Sequence, residues 1–384
     1  MAEAMKRSTD RILTTHVGSL ARPHPLLEIL RAQVNGQPYD ADEFDREVRD
    51  AVANVVRRQA ECGIDVVSDG EQSKNGFFGY LKDRLGGFEA DAVGTPDRAM
   101  SKEELEQFPE YYAQYLGGKA EVMVRTTPLV CTGPVTYVGH AILQKDIDNL
   151  KAALANVQVE EAFVPALAPR VIGRNAYYPS ALEFLEAIAR AMHEEYAAIV
   201  AAGLILQIDD PWLTGLYSDD PYRLGLQTHV DMLNLALEGI PRDKVRYHTC
   251  YGINEGPRIH DVPLKDLLPM LLRINAGAIS FEAANPRHQH EWHVWEDHTL
   301  PDDKILIPGM ISHAYNIVEH PELIADLLVT YANLVGRERV IAGADCGFSS
   351  SATFAPEVDA KVVWAKFQAL SEGARLATGR LWRT

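Results

Sequence analysis

His248 and Cys250 stand two positions apart in the stretch VRYHTCYG, and both residue types bind soft metal ions. Glu282 in AISFEAANPR and Cys346 in VIAGADCGFSS follow similar short apolar runs. Each run predicts a buried strand that ends in a loop. Because alternate residues of a strand face the same side, His248 and Cys250 can bind one ion together. Imidazole, carboxylate and thiolate are ligands that zinc accepts, so these four residues are candidate zinc ligands.

Short strand-like runs alternate with amphipathic helical runs through almost the whole chain. The strand candidates are ILTTHVGS, IDVVSDGE, PLVCTGPVTYV, LILQIDDP, KVRYHTCYG, AGAISFEAA, KILIPGMIS and RVIAGADCG. Two helical runs have clear boundaries: one ends at Gly63, and the other begins with the capping pair Ser180 and Glu183 and ends at Gly203. The pattern predicts an α/β fold, a (β/α)8 TIM barrel with its functional groups at the strand ends. An open doubly wound sheet is the alternative.

Two stretches depart from the repeat, and we predict that they are insertions within one catalytic domain covering residues 1–384. Residues 79–125 are polar with scattered aromatics and are predicted to lie over the C-terminal mouth of the barrel. Residues 155–180 are rich in proline and interrupt the third helical crossover. Long insertions after barrel strands are commonly lids or substrate-binding elements.

Charge and composition exclude several classes of partner. The 384 residues include 37 Lys+Arg against 54 Asp+Glu, a formal net charge of −17, which disfavours nucleic acid or an anionic membrane surface. The sequence contains no run of 18 apolar residues and no signal-peptide core, which predicts a cytoplasmic protein without a membrane span. Four cysteines in a chain of this length indicate metal binding or catalysis rather than a disulfide framework.

Polar residues also stand at the ends of the other strand candidates: His16, Gly18 and Ser19; Asp69 and Glu71; Thr132 to Pro134; Asp209 and Asp210. Each has an ordinary structural explanation when it is taken alone. A histidine at a strand end is usually a hydrogen-bonded core residue, and an Asp before a proline commonly caps a turn. The barrel prediction makes them candidates jointly, because it brings the strand ends together.

The order of these motifs resembles one family. TTHVGSL, SDGEQSKNGFFGYL, CTGPVTYV, LQIDDP, HTCYG, ISFE, PGMIS and GADCGF follow one another from about Arg11 to Ser351. In this order they are similar to the C-terminal catalytic barrel of cobalamin-independent methionine synthase, in the short form that lacks the N-terminal half. The resemblance implies that His248, Cys250, Glu282 and Cys346 are zinc ligands.

The same resemblance implies a binding site for an amino-acid thiol. Gly18 and Ser19 match the segment that holds the carboxylate of the thiol substrate, while Glu71 and Asp209 match two acids that bind its amino group. His16 is a candidate hydrogen-bond donor at the rim of this site, or an acid.

Two positions differ from the folate-using members. After TGPVT these members have a tryptophan that stacks on the pterin, whereas this chain has His140 or a neighbour there. In PGMISHAYN, gapless alignment puts Ala314 at the position of the catalytic histidine and His313 one residue earlier. His313 and His140 are therefore the candidate acids or bases. The differences predict a donor other than methyltetrahydrofolate, such as a corrinoid protein or methylcobalamin.

The sequence thus predicts a zinc-dependent thiol alkyltransferase, which joins a small-molecule thiol to an alkyl donor. Methyl transfer to homocysteine or a related thiol, as in methionine biosynthesis, is the first interpretation. One alternative is epoxide opening by a thiol such as coenzyme M, with Arg170, Arg174 and Arg287 as candidate sulfonate anchors. A second alternative, from another class, is a barrel whose zinc is structural and whose role is binding.

Overall fold

The computed structural model describes residues 4–76, 79–91, 102–120, 128–218, 224–252 and 255–382. The strands in these residues are β1 (Val66–Val67), β2 (Leu85–Ala90), β3 (Leu129–Tyr137), β4 (Glu161–Leu167), β5 (Arg174–Asn175), β6 (Ile205–Asp209), β7 (Val245–His248), β8 (Ala278–Phe281), β9 (Ile305–Ile311) and β10 (Gly343–Ala344). The α-helices are α1 (His24–Val34), α2 (Ala41–Glu61), α3 (Lys102–Gln107), α4 (Pro109–Ala120), α5 (His140–Leu154), α6 (Ala181–Ala201), α7 (Trp212–Ser218), α8 (Gly225–Ala236), α9 (Leu264–Leu271), α10 (Val294–Asp297), α11 (Pro321–Val335) and α12 (Ala360–Leu381).

Seven parallel strands curl into a barrel wall in the order β1-β4-β6-β7-β8-β9-β10. Thr15 bridges Val66 in parallel, and Thr14 bridges Ala342 in parallel. The first strand position therefore lies between the two edges of the seven-stranded sheet and closes it. The helices between these strands complete the eight repeats, so the predicted (β/α)8 barrel is confirmed.

The third barrel strand is not the one that the sequence indicated. PLVCTGPVTYV forms β3, which pairs antiparallel with β2 and parallel with β5 in a separate three-stranded sheet. The barrel position belongs to β4, which lies inside the segment predicted as an insertion at 155–180. Pro165 lies within β4, and a proline normally argues against a central strand, so this segment was not predicted as a strand. Continuous burial from Ala162 to Leu167 is the pattern of a parallel strand covered on both faces.

Helix boundaries follow the capping residues in the sequence. The side chain of Asp40 accepts hydrogen bonds from the backbone amides of Asp42 and Glu43 at the start of α2. Ser180 accepts from the backbone amide of Glu183 at the start of α6. The contact at Ser180 confirms the predicted start of α6, because a side-chain acceptor satisfies amides that have no partner within the helix. Among the described helices, none has the length and the hydropathy that a membrane crossing requires.

The first predicted insertion contains β2, α3 and α4, and its helices contact loops at the carboxyl ends of barrel strands. Glu104 of α3 accepts a hydrogen bond from the backbone amide of Ile259, in the loop after β7, at 3.1 Å. Tyr115 of α4 donates to Glu357, in the segment after β10, at 2.9 Å. The described part of the insertion therefore lies against the end of the barrel where the strands carry their polar residues.

Arg246 of β7 crosses the barrel interior and ties the first strand position to the opposite wall. It is buried, and it donates to Gln207 Oε1 on β6 at 2.6 Å and to Thr15 Oγ1 at 2.9 Å. A third donor reaches the backbone oxygen of His16, and the guanidinium lies 3.6 Å from the ring centre of Phe163 on β4. One side chain thus links strands on both sides of the barrel.

We expect Arg246→Met to destabilise the fold by about 3 kcal/mol, because it leaves several buried hydrogen-bonding groups without partners. Chemical denaturation measures this change in the free energy of unfolding. Arg242→Met is the matched control, since Arg242 is an exposed arginine that pairs with Asp303 on the surface. Equal stabilities for the two variants would contradict the role given to Arg246.

Candidate metal centre

Three of the four predicted zinc ligands meet at the carboxyl end of the barrel. His248 is the last residue of β7, Cys250 follows it by two positions, and Cys346 follows β10 by two positions. All three side chains are buried, and one ligand atom of each lies within 4.8 Å of the others. The two sulfur atoms are 3.3 Å apart. This spacing is short enough for the three side chains to share one ion.

His248 is oriented for this role by its second ring nitrogen. Nδ1 lies 3.1 Å from the hydroxyl of Ser280 on β8, whereas Nε2 is buried and has no hydrogen-bond partner among the described residues. Burial, Arg246 and His313 lower the pKa of His248 to about 3. The imidazole is therefore neutral at physiological pH, as a metal-binding histidine must be. Its buried Nε2, which lacks a hydrogen-bond partner, can bind a metal ion.

The two cysteines form a site that a cation would stabilise. The hydrogen bond between the sulfur atoms, together with burial, raises the pKa of Cys346 well above the usual value for a thiol. A bound divalent cation reverses this effect, because coordination deprotonates a thiol. Two thiols, one neutral imidazole and low exposure to water make a donor set that fits zinc.

Glu282, the fourth predicted ligand, does not join this group. Its Oε1 accepts a hydrogen bond from the backbone amide of Tyr251 at 2.8 Å. Its Oε2 accepts from Arg258 at 2.7 Å and from Asn285 Nδ2 at 2.8 Å. Glu282 instead forms a second buried group with His313 and Asp345, whose ligand atoms also lie within 4.8 Å of one another.

The two predicted acid–base histidines have different surroundings. His313 follows β9 and is buried, with Nε2 3.2 Å from the carbonyl oxygen of Gly252 and Nδ1 without a described partner. Burial and Arg258 lower its pKa to about 4, so it is neutral at physiological pH. His140 is the first residue of α5, its side chain is 62% exposed, and it lies 3.2 Å from Glu194. The structure brings His313, but not His140, beside the predicted ligands.

The predicted amino-group site contains two buried acids. A Cβ atom on Gly18 would lie 3.4 Å from Glu71 Oε1 and 2.7 Å from Pro165, so a side chain is excluded there. Glu71 has a φ of +55°, which is strained for a residue with a side chain. Its Oε2 is buried, accepts no hydrogen bond from the described residues and lies 3.9 Å from Lys74 Nζ. Burial and the charge of Glu71 raise the pKa of Asp209 well above its usual value. A cationic group would relieve the repulsion between these carboxyls.

Ser19 and His16 lie beside this site in different roles. The Ser19 hydroxyl is 3.3 Å from the hydroxyl of Ser350, in the loop that follows Cys346. Both ring nitrogens of His16 have partners, which are Gln59 Oε1 at 2.7 Å and the backbone amide of Gly18 at 3.2 Å. His16 therefore shapes the backbone at Gly18 and leaves no ring nitrogen for a substrate.

Several residues that organise the site were missed by the sequence reasoning. Asp345 accepts from the backbone amides of Ala283, Ala284 and Asn285, which fixes the loop that carries Glu282. The Asp–Cys pair in GADCG was an available signal for Asp345. Arg22 was also missed: its guanidinium donates to the backbone oxygens of three residues around the site, Glu71, Lys74 and Ser349.

Side chains of opposite charge alternate in a series of contacts that begins at Arg258, the ion-pair partner of Glu282. Arg258 contacts Asp261 at 2.9 Å, and Asp261 contacts His288 Nε2 at 3.0 Å. His288 Nδ1 lies 2.9 Å from Glu291, and the imidazole stacks on Tyr251. Burial acts to lower the pKa of His288, but its hydrogen bonds to Asp261 and Glu291 outweigh burial and raise the pKa to about 9. His288 is therefore an imidazolium ion at neutral pH.

Fold and site together define a class of protein, a (β/α)8 barrel with a thiolate-rich candidate metal centre at its carboxyl end. The family model described as "Cobalamin-independent synthase, Catalytic domain" matches residues 12–167. A methionine synthase of Sulfurisphaera tokodaii is 23% identical over 348 residues, which are 87% of this chain and 85% of that protein. The 2-hydroxypropyl-CoM lyase of Xanthobacter autotrophicus is 22% identical over 376 residues, with 90% and 89% covered.

The fold is shared with a B12-independent methionine synthase from Shewanella sp. W3-18-1, at a TM-score of 0.70 and 21% identity, covering 96% of this chain and 99% of that one. The chain is thus similar to cobalamin-independent methionine synthases over most of its length. A methionine synthase of Sulfolobus acidocaldarius is 25% identical over 243 residues, which are 62% of this chain and 61% of that protein.

His288 gives the site a pH dependence with a definite sign. Its pKa in the folded protein, about 9, exceeds the ordinary 6.5, so its stabilisation is complete below pH 6.5 and is lost as pH rises through 9. We expect His288→Gln to remove on the order of 3 kcal/mol of this pH-dependent stability. Chemical denaturation at pH 6.5 and pH 9.5 measures the difference. An unchanged pH dependence in the variant would contradict a charged His288.

Proposed function

We propose that this protein is a zinc-dependent thiol alkyltransferase that transfers a methyl group to homocysteine or a related thiol. The observation that carries the proposal is the buried group of His248, Cys250 and Cys346, with the unpartnered Nε2 of His248 at its edge. Proteins similar to this chain include methyltransferases by name, and the donor set fits a metal that activates thiols.

The chemistry requires a thiolate at neutral pH, although a free thiol has a pKa of about 8.5. A zinc ion bound here would supply the charge that deprotonates the substrate thiol and orients its sulfur. The protein residues hold that site in place: Ser280 fixes the ring of His248, and burial keeps water from the two cysteines. Three protein ligands leave a fourth tetrahedral position for the substrate.

The acceptor that fits best is a thiol carrying an α-amino acid. Glu71 and Asp209 offer paired carboxyls to an ammonium group, and Oε2 of Glu71, which lies 3.9 Å from Lys74 Nζ, accepts no hydrogen bond from the described residues. Gly18 lies beside Glu71, and its backbone and the hydroxyl of Ser19 are the groups proposed to bind the carboxylate. Homocysteine combines an ammonium group and a carboxylate with a thiol.

His313 is the proposed proton donor or acceptor near the reacting centre. It is neutral, and its Nδ1 has no described partner. A neutral imidazole beside the centre can take a proton from the substrate thiol or give one to a leaving group. His140, which is exposed and paired with Glu194, is less suited to this role.

Epoxide opening by coenzyme M is the second candidate, because the named lyase of Xanthobacter autotrophicus aligns over 90% of this chain. Of the candidate sulfonate anchors, Arg174 is paired with Asp91 at 3.2 Å, and Arg170 stacks on Trp212 at 3.9 Å. These contacts offset or shield their charge. The paired acids Glu71 and Asp209 also disfavour a sulfonate, so homocysteine remains the first candidate.

Zinc binding should depend on the two clustered cysteines. We expect about one zinc per chain in the wild type, and a loss of most of it in Cys250→Ser and in Cys346→Ser, because each change removes a thiolate ligand. Metal analysis of the purified proteins measures this. Cys62→Ser is the matched control, since Cys62 lies at the end of α2 against Trp364. Full zinc in both cluster variants would refute the assignment of the site.

A panel of thiols and donors tests the reaction itself. We expect a thioether product with homocysteine and a methyl donor such as methylcobalamin, and at least tenfold less with coenzyme M or glutathione, which lack the same α-amino acid geometry.

Glu71→Gln should raise KM for homocysteine about tenfold, because it removes one of two charges that bind the ammonium group.

The other outcomes of the panel select among the alternatives. Turnover with coenzyme M and epoxypropane alone would favour the lyase-like reaction. Turnover with methyltetrahydrofolate would overturn the prediction that rests on the missing tryptophan. Stoichiometric zinc with no thiol binding would indicate a structural metal in a binding protein.

A further inference from the structure

The segment that follows β9, residues 312–320, is folded around one buried ammonium group. This group belongs to Lys366 of α12, whose side chain is fully buried. Its Nζ donates to the two carboxylate oxygens of Glu319, at 2.9 Å and 3.0 Å, and to the backbone oxygen of Ile317. The ammonium also lies 4.8 Å from the ring centre of Tyr315. A single side chain of α12 therefore contacts three residues of the β9 segment.

Glu319 extends this constraint to the end of β9. Its Oε1 accepts from Lys366 and also from the backbone amide of Ser312, at 2.8 Å. The Ser312 hydroxyl in turn accepts from the backbone amide of Ala314, at 3.2 Å. The two residues that flank His313 are therefore both held, one by Glu319 and the other by Ser312. The backbone at His313 follows from these contacts.

This backbone directs the His313 imidazole toward the centre. Its Nε2 lies 3.2 Å from the carbonyl oxygen of Gly252, and its Nδ1 is buried without a hydrogen-bond partner among the described residues. One ring nitrogen lies within 4.8 Å of carboxylate oxygens of Glu282 and Asp345. The next residue, Ala314, has no group that can move a proton. A shift of the segment by one residue would thus replace the imidazole by a methyl group.

The buried pair of Lys366 and Glu319 specifies a backbone conformation. Burial lowers the pKa of Lys366 and raises the pKa of Glu319, and each charge opposes the shift of the other. Apolar side chains of similar volume often stabilise a fold as well as a buried ion pair does. They supply no donor for the oxygen of Ile317 and no acceptor for the amide of Ser312, which the ion pair provides.

We propose that Lys366 is a positioning residue, which acts through Glu319 to hold His313 in the orientation that proton transfer requires. The inference rests on the proposed function, in which His313 moves the proton. Lys366 takes no direct part in the reaction, because its ammonium is engaged by three oxygens. It governs the rate of the chemical step and not the binding of the thiol, whose amino group is assigned to Glu71 and Asp209.

The test is a double-mutant cycle of Lys366→Met and His313→Gln. Lys366→Met keeps an unbranched side chain and removes the donor. We expect kcat for methylation of homocysteine by methylcobalamin to fall about tenfold, with KM for homocysteine and the zinc content unchanged, because only the imidazole is misplaced. In the His313→Gln background, Lys366→Met should change the residual kcat less than about twofold, since the group that it positions is absent.

A second variant separates positioning from stability. Lys366→Met leaves the carboxylate of Glu319 buried without its cation, which destabilises the fold. The combination of Lys366→Met with Glu319→Gln removes both charges, so it should unfold at about the same denaturant concentration as the wild type. Its kcat should stay low, because nothing then holds Ile317. Lys361→Met is the matched control, since Lys361 is an exposed lysine of the same helix, and it should leave kcat unchanged.

Three results would overturn the inference and leave the proposed function intact. They are a wild-type kcat in the charge-free combination, an effect on KM alone, and equal falls in kcat with and without His313. If circular dichroism shows that Lys366→Met does not fold, the charge-free combination decides the question, alone and with His313→Gln. A wild-type protein that forms no thioether product would overturn both the inference and the proposed function.

Discussion

Parallel strand pairing in the barrel is the constraint on which the site depends. β7 and β10 are separated by 94 residues of chain between His248 and Gly343, yet both end at the same rim. Their pairing through β8 and β9 brings Cys250 and Cys346 to a sulfur–sulfur distance of 3.3 Å. No local sequence pattern achieves this contact, because the strands meet only when the sheet closes. The bridges of Thr14 and Thr15 complete that closure.

The sequence was sufficient for most of the barrel because its signals are local. Capping residues such as Asp40 and Ser180 mark helix starts, and apolar runs that end in polar residues mark barrel strands. The third strand was assigned to the wrong run, since β3 has a better strand composition than β4 with its internal proline. Which of two competing runs enters the barrel depends on long-range pairing, and one sequence does not encode that in a local pattern.

In the candidate site, too, local features were predictable from the sequence and long-range contacts were not. The types and spacing of His248 and Cys250 predicted that the two side chains could bind one ion. The structure adds that Nδ1 of His248 is held by Ser280, which leaves Nε2 as the nitrogen available to the ion. The environment of Glu282 was not predictable, because Arg258 reaches it from a loop with no recognisable motif. His140 was a candidate through alignment alone, and the extra sheet places it on an exposed helix end.

The buried charges around the centre balance one another in two separate groups. Arg258 pairs with Glu282 at 2.7 Å and is linked through Asp261 to His288 and Glu291. Glu71 has Lys74 only at 3.9 Å, and its Oε2 accepts no hydrogen bond from the described residues. The first group is complete within the protein, and the second is completed by a substrate ammonium in our account. X-ray absorption spectroscopy of the zinc-loaded protein, with and without homocysteine, tests the central claim most directly. We predict two sulfur ligands alone and three with homocysteine; an unchanged sulfur count on addition of the thiol would contradict the account.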